Sequence, residues 1–451
     1  MDVPEIEKKL GISVYATKTV GFGGVIRKVY EDFMVEEILT DGFKASVAPS
    51  ERPSRLERYL VCVLAKRNWD TLLAVRAIAQ QLKINHERIT IAGIKDTKAV
   101  TAQHISLYGI RPEEISRIKI KNARVYPIRY AKEKISPELL FGNQFTIAVR
   151  SIPFERDKVE ELVRATMDEL AALGGAPNFF GHQRFGTVRP ITHLVGKAIV
   201  EGNLEEAAFI FLAYSSGWEH SAMIEARKKL REAKDFKEAL NDFPVYFKYE
   251  RLMLKHLVSY PNDFLGAFRE LPRKLRELFV QALQSFLFNR FLSERIRQGI
   301  SLNEVNVGDF VLPFDEHGLP SKSGETATTE SLAKLNKAVA EGKACVAIPL
   351  VGFKQSLSSG VQKEIEQKIL EEENVKSQDF EVSAMHEVDA GGRLRAVLTP
   401  LIDFVADKPI QDSKTVSECK LRLRFALHKG SYATIPLREL MKPQNPVEAG
   451  F

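Results

Sequence analysis

Two strictly alternating stretches lie far apart in this chain, and together they constrain its fold more than any other feature. Over 145–152, Phe145, Ile147 and Val149 fall on one face and Thr146, Ala148 and Arg150 on the other. Over 420–428, Leu421, Leu423, Phe425 and Leu427 alternate with Lys420, Arg422, Arg424 and His428. A period of two belongs to strands with one buried face, and such strands need neighbours to satisfy their backbones. The sequence between them has another texture. A helical pattern with Val159, Leu162, Val163, Met167 and Leu170 inward is stopped by Gly174-Gly175-Ala176-Pro177. Helical spacing then recurs at 203–214, 220–234 and about 273–298, and the charged stretch 361–379 reads as a further, mostly solvated helix. This order predicts a mixed α/β (α+β) body whose sheet is split by a mainly helical insertion, with the last strand rejoining the first part. The expected division is 1–177 plus about 385–451 for the split body, and about 178–384 for the insertion.

The stretch Ala92 to Gln103 carries the first candidate chemistry. Asp96 stands there between Lys95 and Lys98, on a short connection from one apolar run (Ile89, Ile91) to another (Ile105, Leu107). Upstream, 23–38 reads as a strand. Residues 70–84 read as a helix capped by Asp70, with Leu72, Val75, Ile78, Ala79 and Leu82 on one face. Neighbouring cations hold a turn carboxylate ionised, ready to act as nucleophile, base or metal ligand. Spacing alone leaves Asp96 more readily a solvated turn residue.

Composition narrows the classes. A chain of 451 residues, 44% apolar, suits two or three domains, and its net charge of +6 permits nucleic-acid binding without demanding it. Cys62, Cys345 and Cys419 are sparse and scattered, as expected of a reducing compartment, and the nine histidines show no zinc-protease spacing. No apolar run approaches the ~20 residues of a membrane span, and the acidic opening Met-Asp-Val-Pro-Glu-Ile-Glu is not a signal peptide. A cytoplasmic protein is expected. Gly21-Phe22-Gly23-Gly24 lacks dinucleotide-binding spacing and reads as a turn. Between Arg117 and Lys134 seven Lys/Arg (Arg117, Lys119, Lys121, Arg124, Arg129, Lys132, Lys134) meet one acid, Glu133, with Tyr126 and Tyr130 interleaved. On a strand, Arg117, Lys119 and Lys121 share a face. That stripe suits RNA backbone contact, and equally a solvated edge strand guarded by lysines.

Six segments, in order, give a more specific reading. Glu31-Asp32-Phe33-Met34-Val35-x-Glu37 is followed by Gly93-x-Lys95-Asp96-x-x-Ala99-x-Thr101-x-Gln103 and by Gly142-Asn143-Gln144-Phe145. Then come Asn178 to Gly186, Ala282-Leu283-Gln284-Ser285 with Asn289, and Lys429 to Thr434 with Arg438-Glu439. In these the chain resembles the TruD family of pseudouridine synthases. Two positions depart from the family pattern: Tyr30 and His428 stand where proline is usual. Both bear on backbone stiffness and not on reacting groups.

The resemblance implies a pseudouridine-synthase-type mixed or antiparallel sheet, split by the family's insertion domain. It implies isomerisation of uridine to pseudouridine in tRNA, at position 13, with no cofactor, no metal, no membrane and no protein partner. The same chemistry on other RNA uridines is the alternative, as is a non-catalytic RNA-binding or folding protein on this scaffold. In the isomerisation the bond from ribose C1′ to N1 breaks, the uracil turns, and C5 bonds to C1′. A carboxylate stabilises the developing cation or attacks it. Asp96 is therefore expected to be nucleophile or base, with attack at C1′ and proton removal at C2′ both open. Arg27, six positions before Phe33, is its expected ion-pair partner, with Lys28 alongside. Phe145 occupies the position of a tyrosine in other pseudouridine synthases and cannot relay a proton. Asn143 is expected to fix uracil or Asp96, and Phe33 is a second ring for the pocket. Lys95, diverging from Asp96, is expected to face RNA phosphate or solvent. Gln103, Arg117, Lys119, Lys121 and Arg124 are further expected RNA contacts. Gln183 and Arg184 are either polar hands on the RNA or part of a structural latch.

Overall fold

The two distant alternating stretches are neighbours in the computed structural model, which describes residues 2–49, 53, 56–412 and 418–451. Contacts divide the chain into two units, one of Thr17–Ala176 with Thr399–Gly450 and another of Met1–Ala16, Pro177–Leu398 and Phe451. The division thus differs from the expected boundaries at both ends. The first sixteen residues group with the helical unit, because Asn289 and Ser293 hold the carbonyls of Leu10 and Gly11. The return to the sheet unit comes at Thr399.

The first unit is built on strands β1 (Phe33–Leu39), β2 (Tyr59–Arg67), β3 (Ile89–Ile91), β4 (Val100–Tyr108), β5 (Ala123–Ala131), β6 (Leu140–Ile152), β7 (Ile402–Ala406), β8 (Ile410–Gln411) and β9 (Cys419–His428). They form a nine-stranded sheet ordered β7-β9-β6-β1-β4-β2-β5, with β8 on β9 and β3 on β4. β1 and β4 run parallel and the other pairs antiparallel. The expected class, mixed α/β (α+β) on a mostly antiparallel sheet, is the one observed. Across β6 and β9, Phe145 stands opposite Phe425, Ile147 opposite Leu423 and Val149 opposite Leu421. All six are buried, so the two alternating patterns close on one core. Gly142 permits the approach, since a Cβ there would lie 2.0 Å from the Leu427 carbonyl oxygen.

The helix Thr71–Leu82 starts where Asp70 accepts a hydrogen bond from the Leu73 amide, and it lays Ala74, Val75, Ile78 and Ala79 on Leu60, Cys62 and Leu64 of β2. Leu72, expected on that face, points out and is 42% exposed, because the buried positions start at Thr71. The expected strand over 23–38 is shorter. Gly23, Gly24 and Arg27 all take positive φ, which breaks an extended run, and Val25 makes only an isolated bridge to Arg150. A single 3-10 turn, Tyr30–Asp32, then leads into β1.

In the second unit the helix Arg273–Arg297 buries Phe279, Leu283, Leu287, Phe288 and Phe291. The helix Thr192–Val200 crosses it closely at Gly196, where a Cβ would sit 2.0 Å from the Phe279 carbonyl oxygen. A four-stranded sheet of Arg393–Ala396, Ala344–Leu350, Phe310–Pro313 and Glu325–Thr326 completes it. The charged helix expected over 361–379 runs only Gly360–Glu372. It is less solvated than its composition suggests, because Gln362, Ile365, Glu366, Ile369 and Leu370 are buried.

Candidate active site

The chain crosses from β3 to β4 in a turn that carries Asp96, and buried polar groups hold that turn from below. Gln103, on β4, donates through Nε2 to the Gly93 carbonyl (3.0 Å). The Lys95 amide donates to Thr71 Oγ1 (3.1 Å), whose hydroxyl also reaches Gln103 Oε1 (3.2 Å). Lys66, at the end of β2, donates through Nζ to the carbonyls of Asp96 (2.9 Å), Trp69 (2.8 Å) and Lys95 (3.4 Å). Lys95 turns inward, its ammonium 2.6 Å from Glu37 Oε2, while Glu37 Oε1 accepts from the His104 amide (2.9 Å). Burial works to raise the Glu37 pKa, but the bond to His104 and the charge of Lys95 outweigh it and leave the carboxyl below its ordinary value.

Two expectations are corrected here. Lys95 does diverge from Asp96, but toward the interior, because Glu37 on the adjacent β1 offers a buried partner. Gln103 is wholly buried and braces the turn, so it has no surface to offer RNA.

Above this cradle the Asp96 side chain is 38% exposed, with Oδ2 lying 3.9 Å from Arg27 Nη2. Arg27 is held in a left-handed conformation (φ 58°), which a non-glycine residue adopts at a cost, and its Nη1 donates to the Gly450 carbonyl (2.8 Å). Burial lowers the pKa of its guanidinium and Asp96 partly offsets that. The guanidinium carbon sits 3.9 Å from the ring centre of Phe33. Phe33 meets Phe145 edge-on at 6.2 Å, and Phe145 lies against Phe425 at 5.7 Å. The two phenylalanines form a buried aromatic floor, and Phe33 supports Arg27 where an open stacking face was expected. Asn143 stands opposite Glu37 across β1 and β6, its Oδ1 buried without a hydrogen-bond partner among the described residues.

The remaining predicted contacts lie elsewhere. Arg117, Lys119, Lys121 and Arg124 are all exposed. The first three precede the strand, which starts at Ala123, yet Ile118 and Ile120 pack inward between them and Lys119 is pinned by both its amide and carbonyl to Gln81. Arg184 belongs to the second unit and is tied to Ser285 and Gln281. Gln183 is half-buried there, near a latch in which Asn178 receives Arg395 and Asn289 bridges Phe180 to Leu10. Sequence reasoning missed Lys66 and Thr71. The available signal was a lysine closing the otherwise apolar run of β2.

A reachable carboxylate, paired with an arginine laid on an aromatic floor, can attack or deprotonate a sugar carbon. Such a carboxylate on a mixed, mostly antiparallel sheet is consistent with the pseudouridine-synthase class. The model of the family described as "tRNA pseudouridine synthase D (TruD)" matches residues 9–440, and the chain belongs to that family. Among relatives named for tRNA pseudouridine synthase D, those of Methanosarcina barkeri and Methanosarcina acetivorans are 39% and 40% identical, each over 98% of both chains. That of Pyrococcus abyssi is 34% identical over 95% of this chain and 98% of its own. The crystal structure of a Methanosarcina mazei protein titled as tRNA pseudouridine synthase D superposes with a TM-score of 0.82 at 39% identity, covering 98% of this chain and 99% of that one. Among the described residues no helix is long and apolar enough to cross a membrane.

Proposed function

We propose that this chain isomerises uridine 13 of tRNA to pseudouridine, with Asp96 as the group that acts on the ribose. Pseudouridine synthesis on tRNA is the activity of its family; the position and the residue roles are our reading. The observation that carries it is the Asp96–Arg27 pair above the Phe33–Phe145 floor. Arg27 offsets the penalty that a base closing over Asp96 imposes on its charge. Asp96 attacks C1′, or removes the C2′ proton, as the C1′–N1 bond breaks; the uracil rotates, and C5 bonds to C1′ as the Asp96–C1′ bond breaks or the proton returns from Asp96 to C2′. The C5 proton then leaves through water or another group, since Phe145 has no hydroxyl. Nothing is oxidised and no phosphate moves, so we assign no cofactor. Asn143 fixes the uracil or Asp96. The sheet unit carries the chemistry, and Arg117, Lys119, Lys121 and Arg124 of that unit, with Gln183 and Arg184 of the helical unit, contact the tRNA, in the cytoplasm.

The test compares wild type with Asp96→Asn on a tRNA transcript bearing uridine at position 13, mapping pseudouridine by chemical labelling and primer extension. Product at that position from wild type alone, with tRNA binding retained in the variant, is expected. Product only at other uridines removes position 13, and product from the variant removes Asp96.

A further inference from the structure

Lys66 is a buried cation of the sheet unit that touches the Asp96 turn through backbone alone. It is 2% exposed, and its ammonium spends its three protons on the carbonyls of Trp69, Lys95 and Asp96. No carboxylate pairs with it directly among the described residues. Burying a charge on neutral carbonyls is costly. A feature expensive for folding and placed at a reactive group points to a role at that group.

We propose that Lys66 is a positioning residue for the reaction at Asp96: by gripping the carbonyls of the two peptides that flank the Asp96 Cα it aims the carboxylate, and its charge supports that of Asp96 from the side opposite solvent. The proposal rests on the reading of Asp96 as the acting group. Two carbonyls of consecutive residues drawn to one ammonium fix the peptides before and after Asp96 and, with them, its Cα–Cβ bond. Thr71 completes the grip from the amide side of Lys95. Arg27 reaches the carboxylate itself, so the two cations divide the work: one holds the side chain, the other the backbone.

The charged groups that face the Lys66 ammonium are Asp96 on the turn, Asp70 at the start of the helix Thr71–Leu82, and Lys95, itself neutralised by Glu37. Burial pulls the Lys66 pKa down to about 8, and the two aspartates resist it. Lys66 therefore loses its proton within the range where the enzyme can be assayed, and the grip weakens as pH rises through that value.

The experiment measures single-turnover rate and tRNA dissociation constant for wild type, Lys66→Met and Lys66→Arg, from pH 6 to 9.5, with Asp96→Asn alongside. For Lys66→Met the expected result is a rate ~10- to 100-fold lower with tRNA affinity within about twofold, the signature of lost aim and not of lost binding. Lys66→Arg recovers part of the rate. The wild-type rate falls above pH 8, and that limb moves to higher pH in Lys66→Arg. A wild-type rate that stays flat through pH 9 overturns the proposal, even if Lys66→Met does not fold. So does a folded Lys66→Met with the wild-type rate. If Asp96→Asn keeps its activity, the reading of the site fails, and the proposal about Lys66 fails with it. If Asp96 is essential and Lys66→Met is indifferent, only the proposal about Lys66 fails.

Discussion

At Asp96 the chain sets a carboxylate within reach of solvent directly over groups that solvent barely touches: Lys66, Thr71, Lys95, Gln103 and Glu37. On the proposed reading, Asp96 is free to meet a substrate while its backbone has little freedom, which is what orientation at a reactive centre requires. Glu37 tests how much of that rigidity is ionic. In Glu37→Gln the Lys95 ammonium remains buried with no opposing charge, and unfolding in urea at pH 7 is expected to come about 3–5 kcal/mol more easily. The pH dependence has a definite sign. The Glu37 pKa is lowered in the folded state, so its contribution is complete above the ordinary carboxylate value and is lost as pH falls through the folded value. Acid unfolding of Glu37→Gln should lack that share, and a variant as stable as wild type at pH 7 removes the ion pair from the account. The approach of Arg27 to Asp96 was expected from the resemblance, since Asp96 lies in one local run and Arg27 stands six positions before Phe33 of another. The direction of Lys95 was not, because it depends on Glu37, which tertiary pairing of β1 with β4 brings alongside. Lys66 left only a faint signal, a lysine after the apolar run of β2, because its three carbonyl partners leave no mark on composition or spacing.

Elements were read well where one face is buried and poorly where burial depends on partners. The strands at 145–152 and 420–428 stood out because their period is strict and each packs on the other. The strand expected from residue 23 failed because positive φ at Gly23, Gly24 and Arg27 cannot be seen in apolar spacing. The helix Gly360–Glu372 misled in the other direction, since its charged texture conceals Glu366, which is wholly buried and bonded to Ser358 and Gln362. Burial, helped by the charge of Asp309, pushes the Glu366 carboxyl up to about 7. A raised folded-state value makes the contribution of this group complete below the ordinary carboxylate range, and it is lost as pH rises through about 7. The thermal midpoint of the helical unit should therefore be higher at pH 5 than at pH 8, by the equivalent of about 2–3 kcal/mol. Glu366→Gln should flatten the difference, and equal midpoints for wild type at the two pH values would exclude this account.

At the scale of the whole molecule, the modest net charge conceals local concentration. Arg117, Lys119, Lys121 and Arg124 are exposed on one edge of the sheet unit, beside β5, the terminal strand of its order. If these residues neutralise tRNA phosphates, replacing Lys119, Lys121 and Arg124 with glutamine should shift the slope of log affinity against log salt by about 2–3 toward zero. Filter binding at several salt concentrations measures this. An unchanged slope would assign the cluster to guarding the sheet edge. The split of the sheet has a consequence in time as well as in space. β9 is an interior strand, seated between β6 and β7, yet it is made after the inserted segment Pro177–Leu398 has been synthesised. At about 5–20 residues per second the ribosome needs tens of seconds between finishing β6 and delivering β9. Through that interval β6 carries an open edge and Phe145 lacks Phe425 beneath it. The nascent chain can therefore hold Asp96 and every motif around it and still have no finished floor under the site. Its own order of synthesis leaves that floor open until β9 has been made.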